Sequence, residues 1–337
     1  MCKRIFANQT SEVGEVPFYK IGTLGGIPDA YISKKLFDEY KQNYRFPKPG
    51  ETLISCSGTI GRCIQYDGKD AYFQDSNIVW LVNNQTKIIN EFLFCLISRY
   101  DWSFLNVSTI KRLFTKDLNN LKLYYPKDQR EQKSISNFIA ILNSRIKNIE
   151  NKINVLKKYK KGMQKNIFDS SKTNEYLILK NIVKFENKSK IPANSSIENG
   201  NYVLYKSGQK NGTINVYSHE GIYIIANDGG IAQFKLASDK FAYTDHCICF
   251  RCQSDEETIV LCNYLQSLEK KITYVGFTGT GLKNIDRQYL CMIRIPKVDN
   301  KKIAKSFNLI DEAIRNYENI LEKITIIKKL LLKQMFI

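Results

Sequence analysis

The sequence predicts an α+β fold, in which two β-rich domains that resemble each other are joined by two long α-helices that pair as a coiled coil. Three observations support this prediction: a long helical segment occurs twice, a set of strand and turn motifs occurs twice in the same order, and the helices have heptad spacing. The 337 residues are enough for two domains that each bury a core.

The long helical segment recurs without gaps. Residues 130–168 align with residues 298–336, and the copies end on Phe168 and Phe336. In each copy apolar residues follow alternating steps of four and three, which is the 3.5-residue spacing of a coiled-coil seam. The predicted seam consists of Ile135, Ile139, Leu142, Ile146, Ile149, Ile153, Leu156, Ile303, Phe307, Ile310, Ile314, Tyr317, Leu321 and Ile324.

A helix of this length spans roughly 55–60 Å and cannot bury such a stripe alone, so the two helices are expected to pair with each other. About 130 residues separate them, which excludes a helical hairpin and makes them connections between globular domains. Each predicted seam contains one lysine, Lys160 in the first helix and Lys328 in the second. Such a lysine would either fix the register of the pair or mark an end where the helices separate and contact a partner. The alternative is two unrelated surface helices, which the repeat disfavours.

The segments outside the long helices repeat more loosely. Short alternating apolar runs broken by Gly, Asn and Asp predict a β-rich domain in each half. The matching motifs are PFYKIG (Pro17–Gly22) with VLYKSG (Val203–Gly208), TLISCSGTIG (Thr52–Gly61) with IYIIANDGGIA (Ile222–Ala232), and AYFQDSNIVWL (Ala71–Leu81) with FAYTDHCICFR (Phe241–Arg251).

Each half also contains a predicted helix and a predicted closing strand. The helices are Ile89–Leu105 and Asp255–Leu268, and strands that run into a proline are expected in Leu121–Asp128 and Cys291–Asp299.

The two halves differ at their start. Residues Asp169–Tyr202 precede the motifs of the second half and include a predicted strand, Glu175–Phe185, whereas Met1–Val16 precede those of the first half. The first domain is therefore expected to lack an opening element.

The composition restricts the class of protein. Hydrophobic residues make up 43% and aromatic residues 12% of the chain, which excludes a disordered chain. No stretch approaches the roughly 20 apolar residues of a membrane span, and the start of the chain lacks the apolar run of a signal peptide. Nine cysteines at irregular positions are more typical of the reducing cytoplasm than of a secreted scaffold.

The chain is strongly basic, with 51 Lys and Arg against 33 Asp and Glu and a net charge of +18. Such an excess first indicates a nucleic-acid partner, because cations that neutralise phosphates release counterions. The alternative is a lysine-rich surface that contacts only water.

Five motifs together resemble one protein family. They are GEVPFYKIG, GETLISCSGTIGR, AYFQDSNIVWL, FTGTGLKNI and EQKSISNFIAIL. Their order, their duplication and the long helices resemble the specificity subunit of type I restriction–modification systems, over essentially the whole chain.

The resemblance implies a fold and a function. The fold would be two β-rich target-recognition domains in a pseudo-two-fold repeat, residues 1–128 and 169–297, joined by an antiparallel coiled coil of residues 129–168 and 298–337. Each domain would read half of a split site on double-stranded DNA, and because the two domains differ in sequence the site would be asymmetric. Two methyltransferase subunits would dock on the chain, and restriction (motor–nuclease) subunits would add to them.

The resemblance also implies that the chain is not itself catalytic. S-adenosylmethionine, ATP and Mg²⁺ are expected on partner subunits, and no cofactor is expected in this chain. The complex would methylate DNA and defend the cytoplasm against foreign DNA.

Residues that read bases or hold phosphates need hydrogen-bonding side chains on loops. In the first domain the candidates are Lys3, Arg4, Lys20, Thr23, Ser57, Thr59, Arg62, Gln74, Asp75, Ser76, Lys111 and Arg112. In the second domain they are Lys206, Gln209, Lys210, Asn227, Asp228, Gln233, Thr244, His246, Thr280 and Lys283. For any one of them, a role in forming a turn is about as well supported.

Two enzyme motifs match the sequence only by letters. Phe277–Gly281 fits the F-x-G-x-G of methyltransferases, but the chain has no N-P-P-[FYW] or D-P-P-Y segment to hold a flipped base, so a glycine turn is favoured. Pro28 and Asp29 with Glu39–Lys41 fit a P-D…E-x-K nuclease, but the segment KKLFDEYK is typical of a helix rather than of the strand that such a site needs.

A zinc site is also disfavoured. His246, Cys247, Cys249 and Cys252 lack the spacing of a zinc knuckle, and HCICF alternates like a strand whose cysteines pack as small apolar residues.

Three other functions stay open at this stage. The nearest is a specificity subunit of a related methyltransferase–nuclease system without a separate motor. A coiled-coil interaction protein with no DNA role would account for the helices but for neither β-rich domain. A self-sufficient DNA enzyme would depend on the motifs just rejected.

Overall fold

A computed structural model of the chain describes residues 1–102, 112–169, 175–208, 210–279 and 283–335, with side chains described as far as Leu332. The chain divides into two compact units, one formed by Met1–Lys147 with Lys323–Ile337 and the other by Asn148–Glu322. Each unit contains β-sheets and one end of each long helix, and the predicted α+β class is confirmed.

The first unit contains two three-stranded sheets, in the orders β2-β1-β5 and β4-β3-β6. Strand β1 runs parallel to β5, with Phe18 opposite Tyr72. The strands are β1 (Val16–Tyr19), β2 (Tyr31–Ile32), β3 (Thr52–Ser55), β4 (Cys63–Gln65), β5 (Tyr72–Phe73) and β6 (Ile78–Leu81). The helices are α1 (Lys34–Asn43), α2 (Asn90–Ile97), α3 (Thr115–Asn119) and the start of α4 (Gln129–Ile167).

The second unit contains two four-stranded sheets, in the orders β10-β9-β14-β11 and β13-β12-β15-β8, and two pairs, β16-β17 and β18-β7. Its strands are β7 (Tyr176–Ile178), β8 (Val183–Phe185), β9 (Tyr202–Tyr205), β10 (Gly212–Ile214), β11 (His219–Glu220), β12 (Tyr223–Asn227), β13 (Phe234–Ala237), β14 (Lys240–Tyr243), β15 (Cys247–Cys252), β16 (Phe277–Thr278), β17 (Asn284–Ile285) and β18 (Arg294–Pro296). Its helices are α5 (Leu179–Ile182), α6 (Asp255–Val275), α7 (Arg287–Cys291) and the start of α8 (Asn300–Met335).

The three strands of each sheet in the first unit recur in the second unit, where β11 extends one sheet and β8 extends the other. Strands β9, β10 and β14 correspond to β1, β2 and β5, and the parallel pair recurs with Leu204 opposite Ala242. Strands β12, β13 and β15 correspond to β3, β4 and β6, because the central strand of each sheet pairs antiparallel with both neighbours. The sequence motifs therefore repeat because each half builds the same pair of sheets.

The segment Glu175–Phe185 is not the single strand that the sequence predicts. It forms β7, the helical turn α5 and β8, because β7 pairs with β18 whereas β8 pairs with β15 in a different sheet. Leu179 in the turn is fully buried, and its N–H donates to the carbonyl of Ile293 at 3.0 Å.

The predicted helix at Ile89–Leu105 is shorter than expected and the one at Asp255–Leu268 is longer. Helix α2 ends at Ile97, and Trp102 then packs so closely over the β3–β4 turn that a Cβ at Gly61 would lie 2.2 Å from its ring. Helix α6 starts from the capping residue Ser254 and continues to Val275. Its last turns continue because Ile272 is buried in the core.

The expected closing strand of the first half is also wrong. Residues 121–126 form no strand, whereas Arg294–Pro296 form β18. Strand β18 exists because β7 pairs with it, and no counterpart of β7 pairs with residues 121–126 among the described residues.

All fourteen predicted seam side chains are buried or partly buried along α4 and α8. In the second unit Lys157 Nζ lies 2.7 Å from Glu318 Oε1, and Lys160 Nζ lies 2.7 Å from Asp311 Oδ1. Residue numbers rise along α4 as those of the partners fall along α8, so the helices run antiparallel there. In the first unit Ile139 packs with Leu332 near the opposite ends of the two helices.

The lysine in the α4 seam forms an internal ion pair. Lys160 and Asp311 expose only 14% and 24% of their side chains, and Lys160 Nζ also donates to Gln266 Oε1 at 3.3 Å. The corresponding lysine of α8, Lys328, is partly buried in the first unit. A charge pair inside an apolar seam disfavours other registers, because a shifted helix would leave both charges unpaired.

Replacing Lys160 with methionine is expected to lower the free energy of unfolding by about 1–3 kcal/mol, because Asp311 is left with a poorly solvated, unpaired charge. Denaturant titration measures the loss. The matched control is Lys157→Met, whose pair with Glu318 is about half exposed and is expected to contribute under about 1 kcal/mol. The double variant Lys160→Met with Asp311→Leu is expected to recover most of the lost stability, because no unpaired charge remains. Equal losses of stability in Lys160→Met and Lys157→Met would contradict a register role for Lys160.

Candidate DNA interface

Three loops meet at one end of the sheets in the first unit. They are residues 20–30 after β1, residues 56–62 between β3 and β4, and residues 74–77 between β5 and β6. Gln74 joins the first and third loops, since its Oε1 accepts the N–H of Ile21 at 3.2 Å. Ser57 joins the second and third, since its Oγ donates to Asn77 Oδ1 at 2.8 Å.

Two arginines hold these loops together. The Arg62 guanidinium donates to the carbonyls of Gly22 at 3.2 Å and Leu24 at 3.5 Å. Arg112 donates to the carbonyl of Ser76 at 2.8 Å, and its backbone forms a bridge with Ser57. A guanidinium group has five N–H donors. Each of these two arginines uses some of them to bind loop carbonyls and has further N–H groups besides.

Several other predicted residues of the first unit lie in the same loops. Arg4 forms an ion pair with Asp75 at 2.9 Å, and Asp75 also accepts the hydroxyl of Ser76. Thr23 Oγ1 accepts the N–H of Lys20 at 3.1 Å and so shapes the loop.

Three predicted residues of this unit remain, Thr59, Lys3 and Lys111. Thr59 is exposed at the tip of the β3–β4 turn. Lys3 directs its ammonium toward the ring of Tyr44, 5.0 Å from the centroid, so the structure places it apart from the loop contacts just described. Lys111 falls outside the described residues.

Four loops converge in the same way in the second unit. Their described residues are 206–208 with 210–211, 228–233, 244–246, and Gly279 with Lys283. The N–H of Asp228 donates to the carbonyl of His246 at 3.0 Å, and the N–H of Gly230 donates to that of Lys283 at 2.8 Å. Ser207 Oγ donates to the carbonyl of Gly229 at 3.4 Å.

The loop surfaces of the two units share one backbone bridge. Asn284 bridges to Gly229 in the second unit as Arg112 bridges to Ser57 in the first. In both units the bridge joins a distant segment to the turn after the central strand of a sheet. The same scaffold therefore presents different side chains in the two units.

Lys235 is a site residue that the sequence reasoning missed. Its ammonium donates to the carbonyls of Lys206 at 2.8 Å and Gly208 at 2.6 Å, and to Asn211 Oδ1 at 2.9 Å. Burial lowers the pKa of Lys235, which lies on β13. The available signal in the sequence was a lysine between two apolar residues, Phe234 and Leu236. Only the fold shows that Lys235 holds the loop after β9.

Two predictions of DNA contact are wrong because the side chains are buried. Asn227 is 2% exposed, and its amide donates to the carbonyl of Ile231 at 3.4 Å, which closes the β12–β13 turn. Thr244 is fully buried, with its hydroxyl 3.6 Å from the Cys247 sulfur. Both lie where a strand ends, so their local sequence is typical of loop residues.

The other predicted residues of the second unit remain accessible. Lys210, His246 and Lys283 are exposed, and Lys206, Asp228 and Gln233 are partly buried. Gln209 and Thr280 fall outside the described residues.

Four residues of the segment HCICF, Cys247–Phe250, lie in β15, and Cys247, Cys249 and Cys252 are buried there. Burial raises the pKa of Cys252 to about 12, so this sulfur stays a neutral thiol at physiological pH. Over the described part of the chain, no group of three or more His, Cys, Asp or Glu side chains is placed to hold a metal.

The residues that match the P-D…E-x-K nuclease motif lie in a loop and a helix rather than on strands. Glu39 lies on α1, the helix that KKLFDEYK predicts, and Asp29 forms an ion pair with Lys20 at 3.2 Å. Part of Phe277–Gly281 falls outside the described residues. No described helix is both long and apolar enough to cross a membrane.

The duplicated loop surface agrees with comparison to known families. A family model described as "Type I restriction modification DNA specificity domain" matches the chain twice, over residues 1–158 and 171–325. The chain belongs to this specificity family. Specificity subunits of the family are generally non-catalytic and recognise DNA sequences.

One specificity protein matches the chain in part. It is the "Putative type I restriction enzyme specificity subunit S.HindORF215P" of Haemophilus influenzae, which is 48% identical over 136 residues. The match covers 40% of this chain and only 35% of the length of that protein.

A crystal structure of a specificity subunit has the same fold. The type I restriction–modification S subunit from M. genitalium matches with a TM-score of 0.75 over 100% of this chain and 92% of that chain. At 16% sequence identity the two chains share the fold, and their loop residues are not comparable.

Proposed function

We propose that this chain is the DNA-recognition subunit of a type I restriction–modification complex, that it reads an asymmetric two-part site, and that it docks two methyltransferase subunits. The observation that carries the proposal is the duplicated loop surface, built on one topology with different side chains. Two such readers in one chain suit two separated half-sites on a duplex.

The chemistry of the loops suits DNA. Lys210, Lys283 and Arg62 are exposed cations on these surfaces, and the chain as a whole has a net charge of +18. Cations bind phosphates, whereas the amides and guanidinium groups on the loops suit base edges in the major groove.

The differences between the loops support an asymmetric target. Arg62 precedes β4, and Gln233 precedes the corresponding strand β13. At the bridge to the turn, Arg112 corresponds to Asn284. Guanidinium groups favour guanine, whereas Asn and Gln favour adenine, so the two surfaces are suited to different base pairs.

The long helices support docking of two copies of one partner. Ile141 and Leu309 occupy the same position in the two copies of the helical repeat, and they are 55% and 59% exposed. Tyr159 and Ile327 form a second equivalent pair, 63% and 50% exposed. Apolar residues that recur outside the seam at matching positions suit two identical binding surfaces.

In this proposal the methyltransferases flip and methylate adenine in the cytoplasm. S-adenosylmethionine would bind to them, and ATP and Mg²⁺ would bind to restriction subunits, with none of the three in this chain. A methyltransferase–nuclease system without a separate motor is the nearest alternative, since it would use the same recognition surface.

Sequencing of modified bases tests the proposal directly. The chain and the methyltransferase encoded beside it are co-expressed in a host without methylation, and the methylated sites are mapped. We expect an asymmetric two-part motif with a fixed gap that is absent when this chain is omitted. A complex that assembles but neither methylates nor binds DNA selectively would instead favour a coiled-coil interaction protein.

Replacing both Lys206 and Lys210 with alanine is expected to weaken DNA binding and to reduce the slope of log K against log salt by about 1–2, since each lost phosphate contact removes about 0.9. Fluorescence anisotropy at several salt concentrations measures both effects. The control is Lys180→Ala with Lys184→Ala, which removes equal charge from α5 and β8, away from the loops. An unchanged slope in the test variant would remove these two lysines from the interface.

A further inference from the structure

A hydrogen-bonded backbone junction holds Arg112 in the first unit. The N–H of Cys56, the residue after β3, donates to the carbonyl of Asn77 at 2.7 Å, and the carbonyl of Cys56 accepts the N–H of Leu113 at 2.8 Å. The next residue, Ser57, forms an antiparallel bridge with Arg112. The junction therefore fixes the backbone of Arg112 beside the turn that follows β3.

The second unit repeats this junction with different residues. The N–H of Asp228, the residue after β12, donates to the carbonyl of His246 at 3.0 Å, and the carbonyl of Asp228 accepts the N–H of Ile285 at 2.8 Å. The next residue, Gly229, forms an antiparallel bridge with Asn284. The sequence agrees with this match, since Lys-Arg-Leu at 111–113 corresponds to Lys-Asn-Ile at 283–285. Asn284 therefore has the backbone position that Arg112 has in the first unit.

The bridge sets the direction of the side chain. On the other side of the Gly229–Asn284 pair, the N–H of Gly230 donates to the carbonyl of Lys283 at 2.8 Å, so the hydrogen bonds join the neighbours of the pair and not the pair itself. In such a pair the two Cα atoms typically lie about 4.5 Å apart and the side chains point to the same face. Arg112 has the matching hydrogen bond, so its side chain leaves the backbone in the same direction.

Both side chains have hydrogen-bonding groups to offer at this position. Arg112 Nη2 donates to the carbonyl of Ser76 at 2.8 Å, and a guanidinium has four further N–H groups. Asn284 is exposed, and its amide forms no hydrogen bond with the part of the chain that the structure describes. Gly229, opposite Asn284, has no side chain to cover it.

We propose that Arg112 and Asn284 read equivalent base pairs of the two half-sites, Arg112 a G·C pair and Asn284 an A·T pair. This assignment rests on the proposed function in DNA recognition and adds Asn284 to the residues that determine specificity. A guanidinium donates to O6 and N7 of guanine in the major groove, whereas an amide donates to N7 and accepts from N6 of adenine. Because the two units share the backbone junction, exchanging the side-chain chemistry exchanges the base pair that is read.

Selection from a library of randomised DNA duplexes tests the assignment on the full chain, co-expressed with the methyltransferase encoded beside it. For Asn284→Arg we expect one A·T pair of one half-site to be replaced by G·C, with a preference of about tenfold or more, while the other half-site is unchanged. For Arg112→Gln we expect the reverse change in the other half-site. Glutamine is chosen because its amide reaches further than that of asparagine and still offers a donor to the Ser76 carbonyl.

Asn201→Arg is the matched control. Asn201 is exposed and lies just before β9, at the end of that strand opposite residues 206–211. This variant adds the same charge as Asn284→Arg but away from the loops, so the selected sequence is expected to stay that of the parent chain.

Two results would overturn the assignment and leave DNA recognition intact. One is that both variants select the parent sequence, and the other is a loss of selectivity across a whole half-site, which would make these residues supports of the loops. Asn284→Arg stays informative if Arg112→Gln unfolds, because the Asn284 amide holds no other described residue in place. A parent chain that selects no sequence would instead contradict DNA recognition itself.

Discussion

Lys235→Met is expected to abolish discrimination at the half-site that the second unit reads, while discrimination at the other half-site persists. The ammonium of Lys235 holds the loop of residues 206–211 by three hydrogen bonds, to Lys206, Gly208 and Asn211. Methionine fills similar space and donates none of them, so the loop loses the geometry that base contacts need. Because Lys235 acts through that loop, it is a positioning residue.

The measurement is competition between DNA duplexes that carry the full target or a target with one half-site altered. A wrong base pair ordinarily costs about 1–3 kcal/mol, and this penalty is expected to vanish at one half-site only. Total affinity is expected to fall at least tenfold, which corresponds to about 1.4 kcal/mol.

Lys240→Met is the matched control, because Lys240 begins β14 at the end opposite residues 244–246 and its ammonium lies over Tyr217. It removes the same charge without touching the loop. If both variants lose equal affinity and keep full discrimination, Lys235 contributes only net charge.

Ile141→Asp and Leu309→Asp are each expected to remove one of two methyltransferase subunits from the complex. Burying an exposed Ile or Leu contributes about 1.5–3 kcal/mol, and a buried aspartate adds a desolvation cost. Each variant is therefore expected to weaken one docking site by at least about a hundredfold. Native mass spectrometry counts the bound subunits: two for the parent chain, one for each single variant and none for the double variant.

Asn148→Asp and Asn316→Asp form the control pair, because both residues are exposed and occupy equivalent positions of the same repeat. They introduce the same charges outside the apolar positions. If the chains with Ile141→Asp or Leu309→Asp still bind two methyltransferase subunits, the docking surface lies elsewhere. Loss of both subunits in either single variant would show that the two sites are not independent.

The sequence alone determined the elements that depend on local pattern. Heptad spacing identified α4 and α8 and fourteen seam positions that are all buried or partly buried, since a helix places residues three and four apart on one face. Alternation identified β15, and the ungapped repeat identified the two-domain organisation that the family model confirms.

Only the tertiary structure decided what depends on partners distant in sequence. Asn227 and Thr244 resemble loop residues locally, and their burial follows from packing against other strands. Lys235 becomes a loop clamp because β13 passes beside residues 206–211. Residues 121–126 and Arg294–Pro296 both run into a proline, but a strand forms only where β7 supplies the hydrogen-bonding partner. A strand is stabilised by its neighbour, so a segment's own sequence does not determine whether it becomes one.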